Sequence, residues 1–375
     1  MPSYRFSHAT AFQYFQPLED LSHFVSYAKA KLCLPSDSTC PARVDQLSRA
    51  GALDISYDAI SHALKITALW PYQRQPIYAS SRPNVRTELG VFSAEKTRTM
   101  KEHELGLSGL LTVLGQDSKP SATMFSFPSR HRDAESSFSA EFATPAGLHP
   151  ILQLRLASNK PPVDDPSCSP HAYFTFPRTI FADKYQFGDA LFLASKNLTA
   201  LRYISQPVDL EAPEYVMKLW GSAVLLELAP PPSSEVEPWA AEVPLHLRYL
   251  TPKKGGYENI DIPYPAVFWA CNAEEGTKFP NNPFERVNLG YDGLFGPRTV
   301  FWHVEPRPEA SSRVMSPIRV PVLDLDKMDW VNVGTAVTVL AGFFWVSLKL
   351  LSVYLRSGYG RETHRTSETG DKKRQ

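Results

Sequence analysis

From Val331 to Leu348 the chain reads VNVGTAVTVLAGFFWVSL, with no charged residue. A helix of ~20 apolar residues, rising ~1.5 Å per residue, crosses a hydrocarbon layer ~30 Å thick. Inside that layer each backbone N–H and C=O needs an internal partner, and a helix supplies one for each. The reading predicts one transmembrane helix over 330–355. Trp330 and Tyr354 fall at its two interfaces, and the Lys349 amine can snorkel to the nearer one. Gly334, Thr338 and Gly342 are small residues on this helix and candidates for contact with a partner helix. Gly334 and Gly342 are eight apart and form no GxxxG pair.

The anchor poses the question of sidedness. Lys349, Arg356, Arg361, Arg365, Lys372, Lys373 and Arg374 follow the apolar core, whereas only Arg313, Arg319 and Lys327 closely precede it. The positive-inside rule places the C-terminal tail in the cytosol. Asn197-Leu198-Thr199 is an N-glycosylation sequon. Lys372 and Lys373 resemble a dilysine retrieval signal, a receptor-read address that works on a cytosolic tail. These features predict a luminal location in the endoplasmic reticulum for the bulk of the chain. The N-terminal MPSYRFSHATAFQYF has no basic segment followed by an apolar run, so no cleavable signal peptide is predicted and the insertion route is open.

Composition narrows the class of the large portion. Acidic and basic residues balance at 39 each, so no basic excess marks a nucleic-acid partner. Thirty-three prolines interrupt short apolar runs, which favours strands and loops over helices. Residues 53–57 and 63–67 alternate and read as a hairpin. Leu105 to Leu114, broken by glycines, reads as strand, turn, strand. Ser129 to Ser137 is charged and reads as an exposed loop. Leu152, Leu154 and Leu156 share one face of a half-buried strand. Val243 to Tyr249 is the clearest strand, with Val243, Leu245, Leu247 and Tyr249 toward the core and His246 and Arg248 outward. The predicted fold is mainly β, an antiparallel β-sandwich region in two β-rich portions plus one C-terminal transmembrane helix. The predicted divisions are an N-terminal domain at 1–137, a sandwich domain at 138–310, a stalk at 311–329, the span at 330–355 and a basic tail at 356–375.

Catalytic signals are weak. Asp164-Asp165 lies in a proline loop. Ser93-Ala94-Glu95-Lys96 has no companion motif, and His103-Glu104 lacks the second histidine of a zincin. No phosphate loop or GxGxxG occurs. The expectation is no catalytic residue, cofactor, metal site or small-molecule substrate. His246, Arg248 and Trp220 are candidate partner contacts, because aromatic and arginine side chains anchor interfaces. The four cysteines, Cys33, Cys40, Cys168 and Cys271, form no CxxC. One or two disulfides suit an oxidising lumen, with free thiols and mixed pairings open at this stage; Cys168 with Cys271 is one candidate pair.

Five blocks carry a resemblance: LHPILQLRL at 148–156, AYFTFPRTIFADKYQF at 172–187, KLWGSAVLLEL at 218–228, VPLHLRYL at 243–250 and YPAVFWAC at 264–271. In order and spacing, with a single span before a short basic tail, they resemble the PIG-X family in its fungal branch. The resemblance covers about 140–275 and the anchor. It implies a single-pass glycoprotein of the endoplasmic-reticulum membrane with a luminal domain. It further implies the non-catalytic subunit of glycosylphosphatidylinositol (GPI) mannosyltransferase I, which stabilises a multi-span catalytic subunit of the PIG-M type. The alternative is a general luminal chaperone or processing factor with many clients.

Overall fold

The computed structural model describes residues 18, 20–58, 62–70, 81, 86–94, 100–101, 104, 106–116, 118–119, 121–144, 147–158, 160–205, 210, 212–230, 239–279, 289–308 and 314–357. Helices α1 (Ser22–Lys31) and α2 (Cys40–Asp45) open the described chain. Pro41 falls in the first turn of α2, where its missing N–H is not needed. A Cys33–Cys40 disulfide joins the two helices, and Lys29 pairs with Asp45.

Strands β1 (Ala52–Asp58) and β2 (Ala63–Leu69) form the hairpin that the alternation predicts, in register from Ala52↔Leu69 to Asp58↔Ala63. Strands β3 (Thr87–Ala94), β4 (Leu107–Leu114) and β5 (Ala122–Phe127) make a separate antiparallel sheet. The strand–turn–strand expectation for 105–114 is corrected here, because β4 runs straight through Gly109. Gly109 pairs with Phe92 and Phe125. A Cβ on Gly109 would lie 2.3 Å from the Val91 carbonyl oxygen and 2.9 Å from the Phe125 ring. The glycine therefore serves close approach of its neighbours, not a turn.

The charged stretch at 129–137 is also corrected, from loop to strand. It supplies the whole first half of β6 (His131–Phe142), so the predicted division at 137/138 falls inside a strand. Asp133 and Glu135 point to solvent. Arg132 is buried, with Nε donating to the Ser129 carbonyl at 3.0 Å and its guanidinium over Trp302. Alternate charges thus stay hydrated while the inward one has both a hydrogen bond and a ring face.

Seven further strands complete the main sheet: β7 (Ile151–Leu156), β8 (Ser169–Pro177), β10 (Leu198–Ile204), β11 (Gly221–Leu228), β12 (Ala240–Pro244), β15 (Ala266–Asn272) and β16 (Thr299–Pro306). Between them lie the short strands β9 (Ile180–Phe181) and β13 (His246–Leu247), which pair with each other, and helix α3 (Ala190–Ser195). Strand β14 (Tyr257–Pro263) pairs with β17 (Met315–Pro321), the latter within the expected stalk. The main sheet runs β10-β11-β8-β15-β16-β6-β7-β12. The antiparallel expectation holds except at β16 and β6, which are parallel.

One face of the central strands presents Ala172, Phe174, Val224, Leu226, Val267 and Trp269, all buried. The other presents Tyr173, Leu225, Phe268 and Phe301, under Tyr291, Leu294 and Phe295 of a following loop. Leu152, Leu154 and Leu156 are buried together, as their spacing predicts. The outer ends of the sheet meet at the α3–β10 corner: Glu242 N donates to Lys196 O, and Asn197 Nδ2 to Ala240 O at 2.7 Å. Cys168 and Cys271 are joined by a disulfide across 103 residues.

Contacts divide the chain into two units, the second comprising Leu250–Glu258 and Arg319–Gln375. In this second unit Lys253 N donates to Leu323 O, Val322 N donates to Gly256 O, and Arg319 lies over the Tyr257 ring. Asp324 caps the short turn before helix α4 (Met328–Ser357).

Candidate partner surface and anchor

The run from Val243 to Tyr249 departs from a single alternating strand. Pro244, which has no N–H to donate, ends β12. The next backbone amides take new acceptors: Leu245 N to Pro150 O, Leu247 N to Leu148 O and Arg248 N to Thr179 O. This change of partners breaks the two-residue period. Arg248 turns inward and is 3% exposed, while Tyr249 turns outward and is 68% exposed. Both orientations reverse the sequence expectation.

Arg248 is held by the fold. Its guanidinium lies 4.4 Å above the Phe181 ring centroid, and Nη1 donates to Ala212 O at 2.7 Å. Glu214 N donates to Tyr249 O at 2.9 Å, and Arg178 pairs with Glu214. These bonds clamp the 212–216 segment to Tyr249, and Tyr215, Val216, Leu219 and Tyr249 are all exposed. Trp220 beside them is half-buried. Arg248 is therefore engaged within the fold and tied to the segment that carries an exposed apolar surface. The composition of that surface, aromatic and aliphatic with a charged pair at its margin, is that of an interface centre with its rim. Nothing in the sequence period marks Tyr215 or Val216; only the long-range clamp brings them to Tyr249.

His246 is half-buried. It stacks on Phe181, and its Nδ1 lies 2.9 Å from His149 Nδ1. An Nε2–H tautomer donates to Gln186 Oε1 at 3.1 Å, which leaves Nδ1 to accept from His149. Burial holds the His246 pKa below the ordinary value, and the neighbouring His149 adds to that shift.

Asn197 is exposed and has φ 56°. It follows α3, where a left-handed residue ends the helix and asparagine is tolerated. The sequon residue thus also closes a helix and ties it to β12. Thr199 Oγ1 donates to Leu228 O. Lys372 and Lys373 lie outside the described residues.

In α4 the most apolar stretch is wholly unburied. Gly334, Thr338 and Gly342 stand at i, i+4 and i+8, so they line one face. Thr338 Oγ1 donates to Gly334 O at 2.8 Å, which satisfies the hydroxyl within the helix. Among the described residues, and apart from the helix's own nearby backbone, nothing lies within 4 Å of a Cβ built on either glycine. The face is a flat small-residue strip of the kind that packs closely in membranes. Among the described residues, no group of three His, Cys, Asp or Glu side chains is placed to hold a metal ion.

The architecture defines a class: a β-rich protein with, among the described residues, one candidate membrane span, at Leu325–Arg356. The family described as PIG-X / PBN1 matches residues 145–351. "Protein pbn1" of Neurospora crassa is 64% identical over 369 residues, 98% of this chain and 74% of that protein. "Protein PBN1" of Gibberella zeae is 51% identical, covering 94% and 71% of the two chains. "Protein PBN1" of Yarrowia lipolytica is 30% identical, covering 92% and 71%. The chain belongs to the PIG-X / PBN1 family. That membership supports an accessory role in GPI-anchor biosynthesis.

Proposed function

We propose that this chain is a non-catalytic, stabilising subunit of GPI mannosyltransferase I in the endoplasmic-reticulum membrane. Its β-rich portion is luminal, and its partner is a multi-span catalytic subunit of the PIG-M type. The observation that carries the reading is the uncovered apolar helix α4 with Gly334, Thr338 and Gly342 on one face, in a chain of this family. A single helix cannot enclose a lipid-linked sugar site, but it can pack against a bundle that does. A partner that binds only the folded enzyme raises that enzyme's stability by mass action. The surface around Tyr215, Val216, Leu219 and Tyr249 is the second proposed contact. Two disulfides and the exposed Asn197 favour the luminal orientation.

Removal of the chain is expected to lower the abundance of the multi-span mannosyltransferase and of surface GPI proteins. Unchanged levels of both would refute the reading. Orientation is tested by a glycosidase-sensitive mass shift lost in Asn197→Gln. Thr199→Ala accompanies it, because it removes the sequon and keeps the left-handed asparagine. Digestion of the β-rich portion by protease added to sealed microsomes would reverse the assignment.

The alternative, a chaperone with many clients, draws on one feature. Val91, Leu110 and Met124 are cross-strand neighbours in the three-stranded sheet and are all exposed. Affinity capture separates the two readings: one stoichiometric multi-span partner for the subunit, a broad client set for the chaperone.

A further inference from the structure

The face of the main sheet that carries Tyr173 and Phe268 is only partly covered. Beyond Phe295 it opens into a cavity of about 420 Å³, bounded by β8, β10, β11, β15 and β16. His171 is its most committed polar group. The residue is 3% exposed, and its ring lies parallel to Phe268 and edge-on to Phe295. Its Nδ1 lies 3.0 Å from the Ser169 carbonyl oxygen. A carbonyl only accepts, so Nδ1 carries the proton. Burial lowers the His171 pKa, so the ring is neutral and Nε2 presents a lone pair. No partner for Nε2 is present among the described residues.

The other polar groups complement that acceptor. Arg202 lines the cavity, but its charge is matched by Glu227, with which it pairs. Ser167 Oγ accepts from Asn272 N at 3.1 Å, which leaves its hydroxyl proton free to donate. The Asn272 side-chain amide is exposed and offers both a donor and an acceptor. Leu225 and Phe295 provide an apolar wall. The cavity therefore combines a balanced charge, several donors and acceptors, and a ring face. An anion would lack an unpaired cation here, and a purely apolar ligand would strand the His171 acceptor.

We infer that this cavity binds a neutral polyhydroxylated ring of pyranose size, with a hydroxyl donating to His171 Nε2 and the ring's apolar side toward Phe295. This inference does not depend on the identity of the membrane partner.

The test uses the full chain in a detergent without a sugar headgroup. Methyl glucopyranoside, methyl mannopyranoside and methyl galactopyranoside are titrated by saturation-transfer NMR, and inorganic phosphate is then added as a charged competitor, whose preference would show as displacement of the hexoside. Saturable binding of at least one hexoside is expected. His171→Phe should abolish it, and Asn272→Ala should weaken it by about tenfold, the loss of one or two net hydrogen bonds. Asn272 is exposed, so its variant decides the matter if His171→Phe does not fold. No saturation by any hexoside overturns the inference. So does binding that Asn272→Ala leaves unchanged, or a preference for phosphate. A neutral oligosaccharide ending in the bound ring separates the two sources of that chemistry. Tighter binding than the methyl hexoside assigns a glycan terminus, and equal binding assigns a single sugar.

Discussion

The three-stranded sheet of β3, β4 and β5 and the eight-stranded sheet are built from similarly patterned segments. The small sheet and the β8–β11 pair of the large one are hydrogen-bonded in unbroken register. They differ in what lies over them. In the small sheet Val91, Leu110 and Met124 form a cross-strand row open to solvent, and β5 has no buried residue. In the large sheet β8 and β11 are buried on both faces. A ladder is made by backbone donors and acceptors, but stability comes mostly from apolar area removed from water. The comparison therefore predicts that the same kind of substitution has unequal cost in the two regions.

The largest contrast lies in the disulfides. Cys168→Ser with Cys271→Ser releases a loop of 103 residues, at an expected cost of about 4–5 kcal/mol by the chain-entropy account. Cys33→Ser with Cys40→Ser releases a separation of seven, at about 2–3 kcal/mol. Denaturant unfolding of the full chain reads both, and equal losses would break the contrast. Next comes packing. Phe174→Ala, at a fully buried ring, should cost about 3–5 kcal/mol. Met124→Ala, at an 81% exposed side chain, should stay within about 0.5 kcal/mol. A Met124→Ala cost near that of Phe174→Ala would mean that something covers the small sheet in solution.

Gly109→Val sharpens the comparison within the small sheet. A branched side chain there meets the Val91 carbonyl and the Phe125 ring, so a cost of about 1–3 kcal/mol is expected despite the exposed neighbourhood. A neutral effect would show that β4 can shift at no cost. The smallest effect is in the pH dependence. Burial lowers the pKa of His171, and burial with the neighbouring His149 lowers that of His246. The unfolded chain then binds these protons at higher pH than the folded chain does. Their contribution is full above the ordinary value of 6.5 and is lost as pH falls below it toward the lowered folded values. Thermal midpoints should fall through this window, and the fall should shrink in the His171→Phe, His246→Phe double variant. An unchanged slope there would assign the dependence to carboxylates.

Much of the fold was legible in the residues. The hairpin of β1 and β2, the Leu152–Leu156 strand and the strand stopped at Pro177 all follow from two-residue alternation and proline punctuation. The candidate partner surface was legible only in part. His246, Arg248 and Trp220 are the candidate contacts that residue type suggests, and the fold reverses the expected orientation of Arg248. A charged stretch such as 129–137 reads as a loop until a neighbour is supplied. Here β16 supplies the ladder, and Trp302 supplies a ring for Arg132. The cavity at His171 had no linear signature, since its walls come from five strands and a loop.

The sequence by itself determined the candidate span, because crossing a hydrocarbon layer requires only a local run of apolar residues with satisfied backbone groups. It determined the strand-rich class for the same reason: alternation and proline act over a few residues. Only the tertiary structure decided which side of a strand is covered, where Arg248 points, and which acceptor is left open at His171. Those outcomes depend on groups dozens of residues away, whose hydrogen bonds and ring faces compete with the local period and, at Pro244, override it.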